Sequence, residues 1–280
     1  MFPLRLLAQN SPMNANEAAA HPVDAASKLT TYEQPLNERI RNFLRLDFLY
    51  QQAVHHHTKA DSWSTRAAVS SLLEILAMTQ RGDVRGEVLK ELERQMNQLA
   101  TFNTRPGVDT GRLRILLAKL EAMRNELGEV GALFMQPLRD SEFLNAIKHR
   151  STIPGGTCEF DVPDYTHWLS QPDEVRGADF ARWLAIIRPL GDAVSELLWM
   201  TREQGKPQQE VARNGVFHLA LDRGVPTQMI RIALPPGSAN FPEMSGGHHR
   251  CSVRFLTWFD ANTHPVQCTE DVPFTLFICN

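Results

Sequence analysis

Residues 245–255 read SGGHHRCSVRF, and they alternate almost throughout. His249, Cys251, Val253 and Phe255 are apolar or nearly so, whereas Arg250, Ser252 and Arg254 are not. Successive side chains of a strand point to opposite faces. The pattern therefore predicts a strand with one face built for a core and two arginines on the other, about 13 Å apart. On either side, NGVFHLALD (214–222), TQMIRIALP (227–235), HHRCSVRFLTWF (248–259) and PFTLFIC (273–279) are β-branched or aromatic runs bounded by turn residues. Such runs predict strands, so from about 207 onward the chain reads as antiparallel β.

The first half has a different period. Leu36, Ile40, Phe43, Leu46, Tyr50 and Ala53 step by three and four, as on one face of a helix. Leu72, Ile75, Leu76 and Thr79 predict a second helix, stopped by a glycine at Arg81-Gly82. Asp83 is placed to cap a third, with Val84, Val88, Leu92, Met96 and Leu99 inside. Glu87/Lys90 and Glu91/Arg94 read as exposed pairs on it. PGVD at 106–109 opens a fourth, with Leu113, Leu116, Leu117, Leu120, Met123 and Leu127 on its apolar side. Pro154-Gly155-Gly156 marks a turn leading to a short strand. Helical spacing returns over about 176–203, where Pro189 and Gly191 predict a break or kink. The expected class is α+β. It comprises a disordered extension over 1–30 (with Met13 an alternative start), an α-helical domain over 31–150, and a sandwich-like β domain over 151–280 that carries a helical insertion at about 165–204.

Composition narrows the function. The chain has 280 residues, 42% hydrophobic and 22% charged, the profile of a soluble globular protein. Lys and Arg total 29 and Asp and Glu 32, a net charge of −3. A general nucleic-acid binder is normally basic, so any cationic function has to be local. Cys158, Cys251, Cys268 and Cys279 show no CxxC spacing and sit in strand-like contexts, as reduced structural thiols do. No apolar run reaches the length of a membrane span.

Catalytic and metal motifs are weak. His55, His56 and His57 fan out around a helix and cannot converge on one ion, since zinc helices use i,i+4 spacing. His248 and His249 would point to opposite faces of a strand. GxSxG, Walker A and GxGxxG are all missing from the sequence. Cys158 and His167 come without a third orienting group. The arginines remain. Taken alone, Arg250 and Arg254 read first as solvated residues, or as partners of carboxylates on a neighbouring strand. Arg81 reads as a cation in a helix's last turn, and Arg41 and Arg45 as a solvated helix face. The functional alternative is that some of them converge on an acidic peptide, because Arg binds carboxylates bidentately.

Five segments together carry a resemblance: YEQPLNERIRNFLRLDFL (32–49), RGDVRGEVLKELERQ (81–95), PGVDTGRL (106–113), RSTIPGGTCEFDVPDYTHWL (150–169) and PEMSGGHHRCSVRF (242–255). In order and without large gaps, from about Thr31 on, the chain resembles the ZapD (YacF) family of bacterial cell division proteins. The resemblance implies a non-enzymatic cytosolic homodimer without cofactor, acting at midcell. It would bind the C-terminal tail of FtsZ, the tubulin-like GTPase, and bundle its protofilaments into a stable Z-ring. It implies a basic tail-binding cleft to which Arg81, Arg250 and Arg254 correspond, and a bundling-related position at Arg45. Glu142 stands near another basic position of the family, and Thr166 at a family histidine, with His167 adjacent. Two other classes are weighed beside it: a β-sandwich metal or small-molecule enzyme, and a nucleic-acid-binding adaptor. The absence of a basic stripe interleaved with aromatics argues against the adaptor.

Overall fold

A computed structural model describes residues 29–103, 105–222, 224–247 and 249–280. The leader expected over 1–30, up to residue 28, and His248 of the histidine pair lie outside the described residues. The fold is α+β, helical first and antiparallel β last.

Two compact units make up the chain. The β unit takes the described residues up to Arg41, then Asn103–Leu113 and Leu198–Asn280. Its first sheet runs β1 (Thr30–Pro35), β4 (Met229–Leu234), β8 (Val272–Cys279), β2 (Lys206–Ala212). Its second runs β3 (Val216–Ala220), β6 (Arg250–Thr257), β5 (Asn240–Gly247), with β7 (Val266–Gln267) paired to β6. Every pairing is antiparallel. Alternate residues of both sheets share one core: Ile230, Ile232 and Leu234 of β4, Val272, Phe274 and Leu276 of β8, and Cys251, Val253 and Phe255 of β6. Phe274 meets Phe217 and Phe255 at ring-centroid distances of 5.2 Å, within the range of favourable aromatic pairs.

The helical unit, Asn42–Phe102 with Arg114–Leu197, holds most of α1 (Glu38–His57), α2 (Ser62–Thr79), α3 (Val84–Ala100), most of α4 (Thr110–Glu129), α5 (Gln136–Arg139), α6 (Glu142–Ser151), α7 (Pro163–Leu169) and most of α8 (Asp173–Gln204). Side-chain caps fix several starts. Asp61 accepts from Ser64 N at 2.8 Å and Asp83 from Gly86 N at 2.9 Å. The expected faces of α1 and α2 are buried, except that Thr79 is only partly so. On α4, Leu113, Leu120 and Leu127 are fully buried, whereas Leu116, Leu117 and Met123 are half-buried. Phe143, Tyr165, Trp168 and Trp183 form an aromatic layer between α6, α7 and α8, with centroids 5.5–6.0 Å apart.

Several expectations are corrected. The segment after Pro154-Gly155-Gly156 makes consecutive turns into α7 and no strand. Half-buried Cys158 therefore sits in a turn. The other three cysteines are buried and free. Helix α8 passes through Pro189 as one element. There Gly191 packs so closely on the Tyr50 ring that a Cβ would stand 2.6 Å from it. Gly82 does not take the left-handed conformation of a glycine stop; Gln80 caps α2 instead. Glu91 is buried, not exposed, with Arg94 Nη2 at 2.7 Å and Gln95 Nε2 at 3.0 Å satisfying its carboxylate. His249 is exposed in the turn before β6, so the inward set starts at Cys251. β1, β2 and β5 were not anticipated.

Candidate functional site

The register of β6 with its neighbours builds the arginine face. On β3, Ala220, His218 and Val216 stand opposite Arg250, Ser252 and Arg254. On β5 the matching residues are Gly247, Ser245 and Glu243. The same alternation that buries Cys251, Val253 and Phe255 turns this three-by-three grid outward. Four of its nine members, Ala220, Ser245, Gly247 and Ser252, are small. Ser252 Oγ lies 3.1 Å from His218 Nδ1.

The two arginines differ. Arg254 donates from Nε to Glu243 Oε2 at 3.1 Å, and its Nη2 pairs with the same oxygen. Arg250 is exposed and has no ion-pair partner among the described residues. The cross-strand carboxylate weighed for both arginines is thus present for one.

Arg45 and Arg81 belong to the helical unit and come together there. α1, α2 and the start of α3 leave a groove of about 640 Å³. Leu44, Phe48, Leu49, Ala77 and Met78 give it apolar walls, and both arginines and Glu74 line it. Phe48 is 66% exposed. Neither guanidinium has an ion-pair partner among the described residues. A groove that joins apolar walls to two open cations suits a segment carrying both acidic and apolar side chains.

Glu142 is exposed in the first turn of α6, where a carboxylate complements the helix dipole. Thr166 is half-buried on α7 beside exposed His167. The histidines closing α1 are not a simple solvated patch: the His57 ring packs on Phe180 at 5.1 Å. Among the described residues no cluster of three or more His, Cys, Asp or Glu could hold a metal, and no helix is long and apolar enough to cross a membrane. Burial pushes the Cys251 thiol up and Cys279 to about 12, which keeps both protonated at neutral pH.

Sequence reasoning missed Glu243 and Phe48. The signal for Glu243 was present, because counting outward equally from His248 and His249 pairs it with Arg254. Phe48 had none, since its exposure follows from how α1 packs.

Residues 44–254 match the family described as ZapD: Cell division protein. The chain belongs to the ZapD family. It is also similar to "Cell division protein ZapD" of Methylococcus capsulatus, at 37% identity over 249 residues, which is 89% of this chain and 97% of that protein. The matched region of the family contains Arg45, Arg81, Arg250 and Arg254 and ends on the last of them.

Proposed function

We propose that this protein binds the C-terminal tail of FtsZ and, as a homodimer, cross-links and bundles FtsZ protofilaments at midcell in the cytoplasm, without catalysing a reaction. Family membership supports a place in cell division. The observation that carries the tail reading is the set of open guanidinium groups, Arg250 on its strand face and Arg45 and Arg81 in an apolar groove. Arg81, Arg250 and Arg254 take the tail's carboxylates. Arg45, sharing a groove with Arg81, contributes to bundling.

The physics suits a cross-linker. A tail that is disordered when free pays ordering entropy on binding, so each contact is modest. A dimer offers two sites and a filament many tails, so weak contacts become avid when two are engaged at once. Exposed charge contacts are screened beyond about 8 Å at physiological ionic strength.

Sedimentation of GTP-assembled FtsZ from the same organism tests the reading. With this protein, full-length filaments are expected to pellet as bundles, and filaments lacking the last dozen or so residues are not. Bundling of both would place the contact on another FtsZ surface. Bundling of neither would remove the function proposed.

A further inference from the structure

Glu243 has a role that the tail reading alone does not supply. We infer that it is a built-in competitor, an internal carboxylate that occupies Arg254 and leaves Arg250 as the open anion-binding group of the strand face. The inference rests on the proposal that this face receives the carboxylates of an acidic peptide.

Glu243 stands directly across from Arg254, and Gly247 directly across from Arg250. The two pairs lie four residues apart along both strands, so they occupy the same kind of position in the antiparallel ladder. The Glu243–Arg254 pair lies inside the strands and the Gly247–Arg250 pair at their ends, but in the shared register one position carries a carboxylate and the other no side chain. Glu243 and Arg254 are about equally exposed, at 54% and 53% of their side chains. Glu243 fills the Nε and Nη2 edge of Arg254, so an arriving carboxylate either exchanges with it, one ion pair for another, or takes the remaining N–H groups of a guanidinium whose charge is already balanced. At Arg250 the same carboxylate forms an ion pair where none existed. Arg250 therefore contributes more than Arg254 on this face, and Glu243 sets how much Arg254 adds. An exposed pair of this kind is weak, so the competitor lowers affinity without closing the site.

The arrangement supplies its own converse. Gly247 has an ordinary backbone conformation, and a Cβ added there meets nothing within 4 Å. A glutamate at 247 would stand to Arg250 as Glu243 stands to Arg254.

The test is fluorescence anisotropy with a labelled synthetic peptide of the last dozen or so residues of FtsZ, at low salt. Glu243→Gln, nearly isosteric, is expected to tighten binding about two- to fivefold. Gly247→Glu is expected to weaken it by a similar factor, and Gly247→Gln to leave it nearly unchanged. A gain of affinity from Glu243→Gln is not an effect that damage to the strand produces. If Arg250→Ala weakens binding while Glu243→Gln and Gly247→Glu leave it unchanged, the competitor role is overturned and the tail reading stands. If the peptide does not bind, or Arg250→Ala is silent, the tail reading falls. Arginine side-chain NMR on the free protein then decides the occupancy of Arg254 separately. Exchange of the Arg254 Nε proton slower than that of Arg250, and released by Glu243→Gln, supports it; equal exchange at both overturns it.

Discussion

Arg231 and Arg250 both belong to inner strands of the β unit, and their surroundings are opposite. Each lies on an inner strand of an antiparallel sheet, Arg231 between Ile230 and Ile232 and Arg250 at the start of β6 before Cys251. Arg231 is enclosed. Its Nε lies 3.0 Å from Glu33 Oε1, its Nη1 donates to the Arg202 carbonyl at 3.3 Å, and its guanidinium lies 5.4 Å from the Phe277 ring centroid. Arg202 binds the same carboxylate bidentately, at 2.8 and 2.9 Å. Arg250 faces Gly247 and Ala220 and touches no counter-charge among the described residues. The half-buried carboxylate shared by Arg231 suits a structural role, and the open setting of Arg250 suits the recognition proposed for it, with the exposed pair at Arg254 between the two. Desolvated cations need their partners, whereas open ones are free to acquire them.

The largest effect is expected at Glu33. Removing a shared carboxylate strands two partly buried guanidinium groups, so Glu33→Ala should cost about 3 kcal/mol. Urea unfolding would read this as a lower midpoint at unchanged slope. Burial alone would raise the Glu33 pKa, but the hydrogen bonds and charges of Arg202 and Arg231 outweigh it and hold the carboxyl below its usual value. A depressed carboxylate pKa contributes stability that is present above the unfolded pKa, about 4.3, and is lost as pH falls through the folded one. Wild type should accordingly lose more stability on acidification than Glu33→Gln. Parallel pH curves for the two would break the contrast from the structural side.

Arg250→Ala should do the reverse, with no change in urea midpoint and about tenfold weaker tail binding, the loss of one charge-assisted contact. The loss should shrink as salt rises. A fall in the midpoint as large as that from Glu33→Ala would mean Arg250 is structural after all.

How much of this could be read in advance depends on where each element gets its identity. β6 announced itself because it is an inner strand with one buried face, and alternation is the direct trace of that. β1, β2 and β5 are edge strands. KPQQEVA of β2 is exposed along most of its length, and β5 carries Pro242 and two glycines. Edge strands tolerate such residues, and the partner's pattern holds them in place. Pro189 predicted a break that α8 does not make, because buried Phe180 and Ile187 before it and Val194 and Leu197 after it hold one line of packing. Of the candidate site, the Arg250 and Arg254 face followed from strand geometry. The meeting of Arg45 with Arg81 did not, because it depends on α1 and α2 folding back on each other.

The smallest effect is the most discriminating. Arg213 is more exposed than Arg254, at 76% against 53%, and like it pairs with a carboxylate, Asp271. It lies in the same unit, just beyond β2, where its backbone bridges Val216 at the border of the grid without being one of the grid's nine residues. If the tail recognises a surface geometry, Arg213→Ala should leave its affinity within error of wild type at low and at physiological salt. If the tail is drawn by diffuse positive potential, any exposed arginine of the unit should count, and Arg213→Ala should weaken binding by a sizeable part of the Arg250→Ala loss, most clearly at low salt. Measuring both variants by anisotropy across a salt series separates the two cases, because long-range attraction fades with salt and a direct contact persists longer. Equal losses would dissolve the distinction between enclosed and open arginines into one of net charge.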